Sequence, residues 1–357
     1  MNKILFGGAF DPVHLGHINM AEQASIQLNA DVIFLPSKFS VWKNDSTDVT
    51  HKINMLKIAI KGHERFFIDL YEINSGKEQN YSIDTVKYFI NKYPNDNFYY
   101  LIGTDHVNVF DKWKGADELA KLVKVIYFNR PNYELDEKMI KRFNMTQING
   151  SPIDISSTDI RDLTNLELNK EVIDYIIENN LYFTPKLHSY LKDKRFNHSV
   201  SVASLAFDIA KSNNIEHPEK AYIAGLLHDI GKEIDQKPIM EEHYKDYLDL
   251  PKFAYHQFAG EYIAKVEFQI VDKDILEAIK YHATGNEKMS QLAKIVYAAD
   301  KIEPTRGFDS KELIDEMMKD IDEGFVKVLK ANKEFLENNR GNINNPLTLK
   351  CFNYYLK

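Results

Sequence analysis

The chain has 357 residues, 44% of them hydrophobic and 27% charged, with a formal net charge of −8 at pH 7. That length exceeds one ordinary core and predicts two domains, while the acidic balance excludes a generic nucleic-acid binder, whose phosphate contacts need excess lysine and arginine. A lone cysteine, Cys351, excludes a disulfide framework and fits a cytoplasmic protein, and no apolar run is long enough to span a membrane.

Residues 3–8 (KILFGG) read as a buried strand entering a glycine turn; the apolar run is too short for a signal peptide, and Asp11 follows at once. Helical spacing follows over 18–28. Strands are predicted at 31–37, 65–73, 98–103 and 122–131, with helices at 51–62 and 82–94. Strand-helix alternation with short links implies an α/β, Rossmann-like domain: a parallel sheet with helices on both faces. From about Leu187 the pattern changes. Residues 198–212, 219–232, 254–266, 274–282 and 289–302 carry 3.6-residue periodicity, which predicts an all-α second half. The boundary falls beside Pro185, giving domains at 1–184 and 185–357.

The stretch GGAFDPVHLGH, residues 7–17, places Gly7, Gly8 and Phe10 ahead of two imidazoles about one turn apart. Glycine lets backbone N–H groups approach an oxyanion, and a helix start adds partial positive charge. His14 and His17 can then donate to phosphate oxygens and to charge growing in a phosphoryl transition state. The stretch resembles the signature of the nucleotidyltransferase superfamily. ISSTDIR, residues 155–161, resembles a second motif of that superfamily: Ser156, Ser157 and Thr158 offer hydroxyls to a triphosphate, and Arg161 lies one turn into the helix.

The segments between these motifs resemble nicotinate-nucleotide adenylyltransferases: FLPSKFSVWK with Lys43, YSIDTV with Thr85, IGTDHVNVFDKWK with Gly103, Asp105 and Trp113, and FNRPNY with Asn132 where that family has glycine. The resemblance implies that ATP and nicotinate mononucleotide are the substrates, with Mg2+ bridging the ATP phosphates. It implies that His14, His17 and Arg161 act on the phosphates, with Lys43 helping to hold the triphosphate. By the same resemblance Asp105 anchors a ribose, and Thr85 and Trp113 lie by the pyridine ring, the latter as a stacking face.

In the helical half, His228 and Asp229 of LLHDIGK end an apolar helix, and Asp300 lies inside the apolar run KIVYAADKI. Burying such groups is costly unless they bind something. With His198, His256 and His282 they form a set of nitrogens and carboxylates suited to Fe, Mn or Zn; four can close around one ion and six can hold two. The order H…HD…D resembles the HD-domain metal phosphohydrolases, and LLHDIGK, AADKIEPTR, YHATG and His256 resemble their symmetrical dinucleoside-tetraphosphate hydrolases. That resemblance implies Fe, Mn or another divalent transition metal and cleavage of diadenosine tetraphosphate to two ADP. Asp229 and Lys232 would act in catalysis, and Arg306 is either a phosphate ligand or a surface residue. Two alternatives stand beside this bifunctional reading: a non-catalytic nucleotide-binding HD half, or a first half acting on another acceptor. Neither nucleic acid nor membrane is expected as a partner, and homo-oligomerisation is left open.

Overall fold

The computed structural model describes residues 1–38, 47–77, 79–129, 134–338 and 344–357. The chain divides into two compact units, one of Met1–Arg161 with Glu167–Leu181, the other of Asp162–Leu166 with Tyr182–Lys357.

The first unit is built on a parallel sheet of β1 (Asn2–Gly8), β2 (Asp31–Pro36), β3 (Phe66–Ile68), β4 (Asn97–Gly103), β5 (Lys124–Phe128) and β6 (Thr146–Ile148). Their order is β3-β2-β1-β4-β5-β6. Both faces are covered, so central strands are apolar without alternation: Ile4, Leu5, Phe6, Val32, Ile33 and Phe34 are all buried. The helices Ser82–Lys92 and Ala116–Leu122 close one face through Val86, Phe89 and Leu119, which pack with Phe110 and Val125. Each such large side chain contributes about 1.5–3 kcal/mol relative to exposure.

The strand order reverses between β1 and β4, the switch point at which open α/β sheets bind ligands. The two strands pair from Asn2↔Asn97 to Leu5↔Tyr100 and then run three residues further without pairing. A crevice therefore opens between Gly7-Gly8 and Gly103.

Several elements differ from expectation. The strand predicted over 65–73 is the three-residue β3, because the Asp69 carboxylate accepts the Tyr71 N–H at 2.8 Å and turns the chain into the helix Tyr71–Asn74. The helix read from residue 18 starts at Leu15, with His14 at its N-cap in extended conformation. β6 and the helix Glu137–Arg142 were not anticipated; three and six residues are too few to carry a period.

Among the described residues of the second unit every regular element is a helix. Its principal helices are Asp193–Ser212, Pro218–Leu227, Tyr255–Val266, Lys273–Tyr281, Gln291–Ile302 and Ile321–Asn338. Pro185 stands in the first turn of Thr184–Tyr190, where its missing N–H costs nothing. The helix predicted over 219–232 stops at Leu227, and the chain turns so that Gly231 meets the helix Tyr255–Val266. A Cβ on Gly231 would lie 2.5 Å from the His256 carbonyl oxygen. Among the described residues no helix is long and apolar enough to cross a membrane.

Candidate active sites

In the first unit, His14 N–H donates to His17 Nδ1 at 3.3 Å. An accepting Nδ1 leaves the hydrogen of neutral His17 on Nε2, so the ring is left with a donor for a phosphate oxygen. The two imidazoles are tilted by 30° to one another, with centroids 3.6 Å apart. Gly16 makes this possible: a Cβ there would stand 3.0 Å from His14 Nδ1 and 3.1 Å from Ile155 Cγ2. Phe10, at φ +46°, turns its ring inward among Phe6 and Phe34 and sits edge-on to His17 at 5.1 Å.

The second motif docks on the first. Ser157 Oγ donates to the Pro12 carbonyl at 2.9 Å, and Arg161 Nη1 donates to the Asp11 carbonyl at 2.5 Å. Arg161 also reaches Thr158 Oγ1 at 2.7 Å, while Ser156 bonds Asp159 from both its N–H and its hydroxyl. Residues about 145–150 positions apart thus share one turn above the carboxyl end of β1.

Gly103 ends β4 across the crevice, and Asp105 lies in the first turn that follows. Trp113 is half-buried, edge-on to Tyr100 at 6.0 Å and against Phe110 at 5.1 Å. Tyr100 in turn reaches the switch point, since a Cβ on Gly7 would be 2.8 Å from its hydroxyl. Thr85 is fully buried and donates to Glu72 Oε1 at 2.9 Å, so its hydroxyl serves a buried carboxyl rather than an open surface. Burial pushes the Glu72 pKa up, partly offset by that hydrogen bond. Lys43 and Asn132 lie outside the described residues.

Two groups here escaped the sequence reading. Glu72 is one. The other is Lys52, wholly buried, whose Nζ donates to the carbonyls of Ser37 at 3.0 Å and Lys38 at 3.2 Å. Its place three and four residues before buried Met55 and Leu56 was the available signal.

The second unit brings all six predicted ligands together. His228 Nδ1 lies 2.7 Å from the Gly225 carbonyl, His256 Nδ1 2.6 Å from that of Phe253, and His282 Nδ1 2.7 Å from that of Ile279. A carbonyl can only accept, so each Nδ1 carries the hydrogen and each neutral ring turns an Nε2 lone pair inward. His228 Nε2 is buried without a hydrogen-bond partner.

Two clusters form around His228. In one, Asp300 Oδ1 lies 3.2 Å from His198 Nε2 and 3.7 Å from His228 Nε2. In the other, Asp229 Oδ1 lies 3.3 Å from His256 Nε2 and 3.4 Å from His282 Nε2, while its Oδ2 faces His228 at 3.8 Å. Asp229 thus turns one oxygen to each cluster. Burial pushes the His228 pKa down to about 4 and the His256 pKa well below its usual range. Burial opposes ionisation of Asp229, while positive charge on the His228, His282 and His256 rings, when they carry it, holds its pKa well below the usual range. Burial likewise opposes ionisation of Asp300, yet Lys301, then His198, His228 and Arg306, keep it low. Buried carboxylates facing neutral nitrogens, one of them orphaned, are costly unless a cation sits among them. The donor set fits a divalent metal ion.

Cations ring this centre. Arg195 pairs with Asp229 and reaches Glu233 at 3.5 Å; Arg306 pairs with Asp300, as does Lys301 at 2.7 Å. Lys232 Nζ stands 3.3 Å from both ring nitrogens of His256. Arg195, Lys301 and Glu303 were not foreseen. Arg195 lies three residues before His198 on one helix, and Glu303 three after Asp300, spacings that share a face.

Comparison with known proteins finds matches to both halves of the chain. Residues 5–163 match the cytidylyltransferase-like family model and residues 195–305 the HD domain. A Mycoplasma genitalium protein named a probable nicotinate-nucleotide adenylyltransferase/Ap4A hydrolase is 33% identical over 309 residues, 85% of this chain and 87% of that one. The chain belongs to the nicotinate-nucleotide adenylyltransferase/Ap4A hydrolase family. A Mycoplasma pneumoniae relative of the same name is 29% identical, covering 94% of this chain and all of its own. A Listeria innocua protein named a probable nicotinate-nucleotide adenylyltransferase is 37% identical, covering half of this chain and 95% of its own. This chain thus carries a cytidylyltransferase-like region followed by an HD domain.

Proposed function

We propose that residues 1–184 transfer AMP from ATP to nicotinate mononucleotide and that residues 185–357 hydrolyse diadenosine tetraphosphate to two ADP. In the first reaction the 5′-phosphate oxygen of the mononucleotide attacks the α-phosphorus of ATP, and pyrophosphate leaves with the bonding pair. His17, backed by Phe10 and His14, donates to the oxyanions. Arg161, held at the Asp11 carbonyl, neutralises the triphosphate with the Ser156, Ser157 and Thr158 hydroxyls, aided by Lys43 and a substrate-borne Mg2+. Gly7 and Gly8 leave room for phosphate, Asp105 anchors a ribose, and Trp113 offers the pyridine ring a face.

In the second reaction water attacks a phosphorus in the middle of the tetraphosphate and ADP leaves. His198, His228, Asp229, His256, His282 and Asp300 would hold one or two ions of Fe, Mn or another divalent metal. Such an ion supplies Lewis acidity, lowering the pKa of water and neutralising phosphate charge. Lys232, Arg195 and Arg306 take phosphate oxygens, the two arginines being about one-third exposed at the centre's edge. The reaction fits a cytoplasmic protein, in keeping with its one buried, unpaired cysteine.

The observation that carries this reading is the docking of Ser157 and Arg161 on the turn before His14 and His17, matched in the second unit by three histidines with their Nδ1 committed to carbonyls. Assaying both products in wild type, His17→Ala and Asp229→Ala tests it. His17→Ala should lose deamido-dinucleotide synthesis by about a hundredfold or more and keep tetraphosphate hydrolysis; Asp229→Ala should do the reverse. Either substitution abolishing both activities, or neither, contradicts the assignment. Replacing ATP by CTP distinguishes a cytidylyltransferase.

A further inference from the structure

Three of the four histidines around the metal centre are held by a carbonyl three residues earlier in the chain. His198 is held differently. Its Nδ1 lies 3.0 Å from Glu303 Oε1. Glu303 is 1% exposed, and its two oxygens also take the Ser201 hydroxyl, the Thr305 N–H and the Thr305 hydroxyl, each at 2.7 Å. With four donors aimed at two oxygens, the group acts as an acceptor, a carboxylate. Among the described residues no lysine or arginine forms an ion pair with it; its one charged-type partner is His198.

A carbonyl tether orients an imidazole and lends it a dipole. A carboxylate tether orients it and lends a full negative charge, which makes the opposite nitrogen a stronger donor. His198 is also the most exposed of the four, its side chain 18% accessible against 0–3% for the others, so it gains most from being held.

Resting on the metal-centre reading above, we propose that Glu303 is a positioning residue that orients and polarises His198. It thereby makes the cluster of His198, His228 and Asp300 the tighter of the two half-sites for a divalent cation. The half-site of Asp229, His256 and His282, which lacks a carboxylate behind its histidines, fills second.

The test is Mn2+ titration of the metal-stripped full chain, following free Mn2+ by electron paramagnetic resonance, for wild type and Glu303→Gln. Glutamine keeps the size and an acceptor but removes the charge. The tight binding step should weaken about 10–100-fold, with unchanged far-UV circular dichroism. His198→Ala should likewise abolish the tight step, whereas His282→Ala should spare it and remove the weaker one; this pair tests the order of the half-sites independently of Glu303→Gln. A Glu303→Gln protein that binds Mn2+ as tightly as wild type overturns the role of Glu303 and leaves the metal centre standing. Loss of the tight step in His282→Ala alone overturns the order of the half-sites. Wild type that binds no Mn2+ overturns the metal-centre reading itself.

Discussion

The Nε2 atoms of His256 and His282 face each other at 3.1 Å while the Nδ1 of each is committed to a backbone carbonyl. In their neutral forms neither Nε2 carries a hydrogen, so two lone pairs converge beside the Asp229 carboxylate. Two nitrogens bound at about 2.1 Å to one ion and at right angles would be about 3 Å apart. The spacing suits a shared cation far better than a hydrogen bond.

Metal should therefore stabilise the protein. At a hundred times its dissociation constant, Mn2+ or Fe2+ adds about 2.7 kcal/mol, which for a unit of this size raises Tm by about 5–10 °C. Differential scanning calorimetry with and without the ion, reversed by a chelator, reads this directly. A melting curve indifferent to every divalent metal would contradict it.

Gly231 offers a steric check. A Cβ at that position meets the His256 carbonyl oxygen at 2.5 Å and the Gly260 nitrogen at 2.6 Å, both backbone atoms that cannot swing away. Gly231→Ala should cost about 1–3 kcal/mol or more and separate Asp229 from His256, lowering metal affinity as well. Chemical denaturation and metal titration measure the two effects, and an alanine variant normal in both would show that the helices are not held this close.

Gly16→Ala should act in the first unit by pushing on His14 and Ile155, its nearest neighbours at 3.0–3.1 Å. Dinucleotide synthesis should fall at least tenfold, because a displacement of a few tenths of an ångström at the phosphate site misplaces His14. Tetraphosphate hydrolysis, in the other unit, should not change. Steady-state kinetics of both reactions suffice.

Glu72 supplies a pH dependence. Its pKa is raised by burial, tempered by the Thr85 hydroxyl. For an acid with a raised folded pKa, the protonated form suits the fold, so stability is greatest at low pH and declines as pH rises through the folded pKa. Glu72→Gln keeps an acceptor for Thr85 and never ionises. The variant should gain on wild type as pH rises from about 4 to 8, and parallel Tm curves over that range would show that Glu72 ionises in the fold without cost.

How much of this the sequence carried depended on whether a residue's role is local. His14, His17, Ser157 and Arg161 stand in short runs whose turn and cap chemistry is complete within a few positions, so the two motifs could be read before their docking was seen. The six residues drawn together in the second unit were legible as a set, through the HD-domain resemblance; taken singly only Asp300, a carboxylate among apolar neighbours, resists a plain structural reading. Glu303, Arg195 and Lys52 were not, since each acts across a distance: Glu303 on His198, 105 residues away, and Lys52 on carbonyls 14 and 15 residues back. The bond from the Thr85 hydroxyl to Glu72 is likewise invisible in the sequence, because no helical or strand spacing connects the two residues. The apolar run over 65–73 predicts a longer strand than the one that forms, because a single carboxylate turn at Asp69 ends it.

Product chromatography after incubating the full chain with diadenosine tetraphosphate and Mn2+ or Fe2+ tests the central claim most directly. The account predicts ADP as the sole nucleotide product in wild type and none in Asp229→Ala, with both proteins still making the deamido dinucleotide from ATP and nicotinate mononucleotide. ATP together with AMP would contradict the symmetrical cleavage, and no turnover with any divalent metal would make the second unit a nucleotide-binding module instead of a hydrolase.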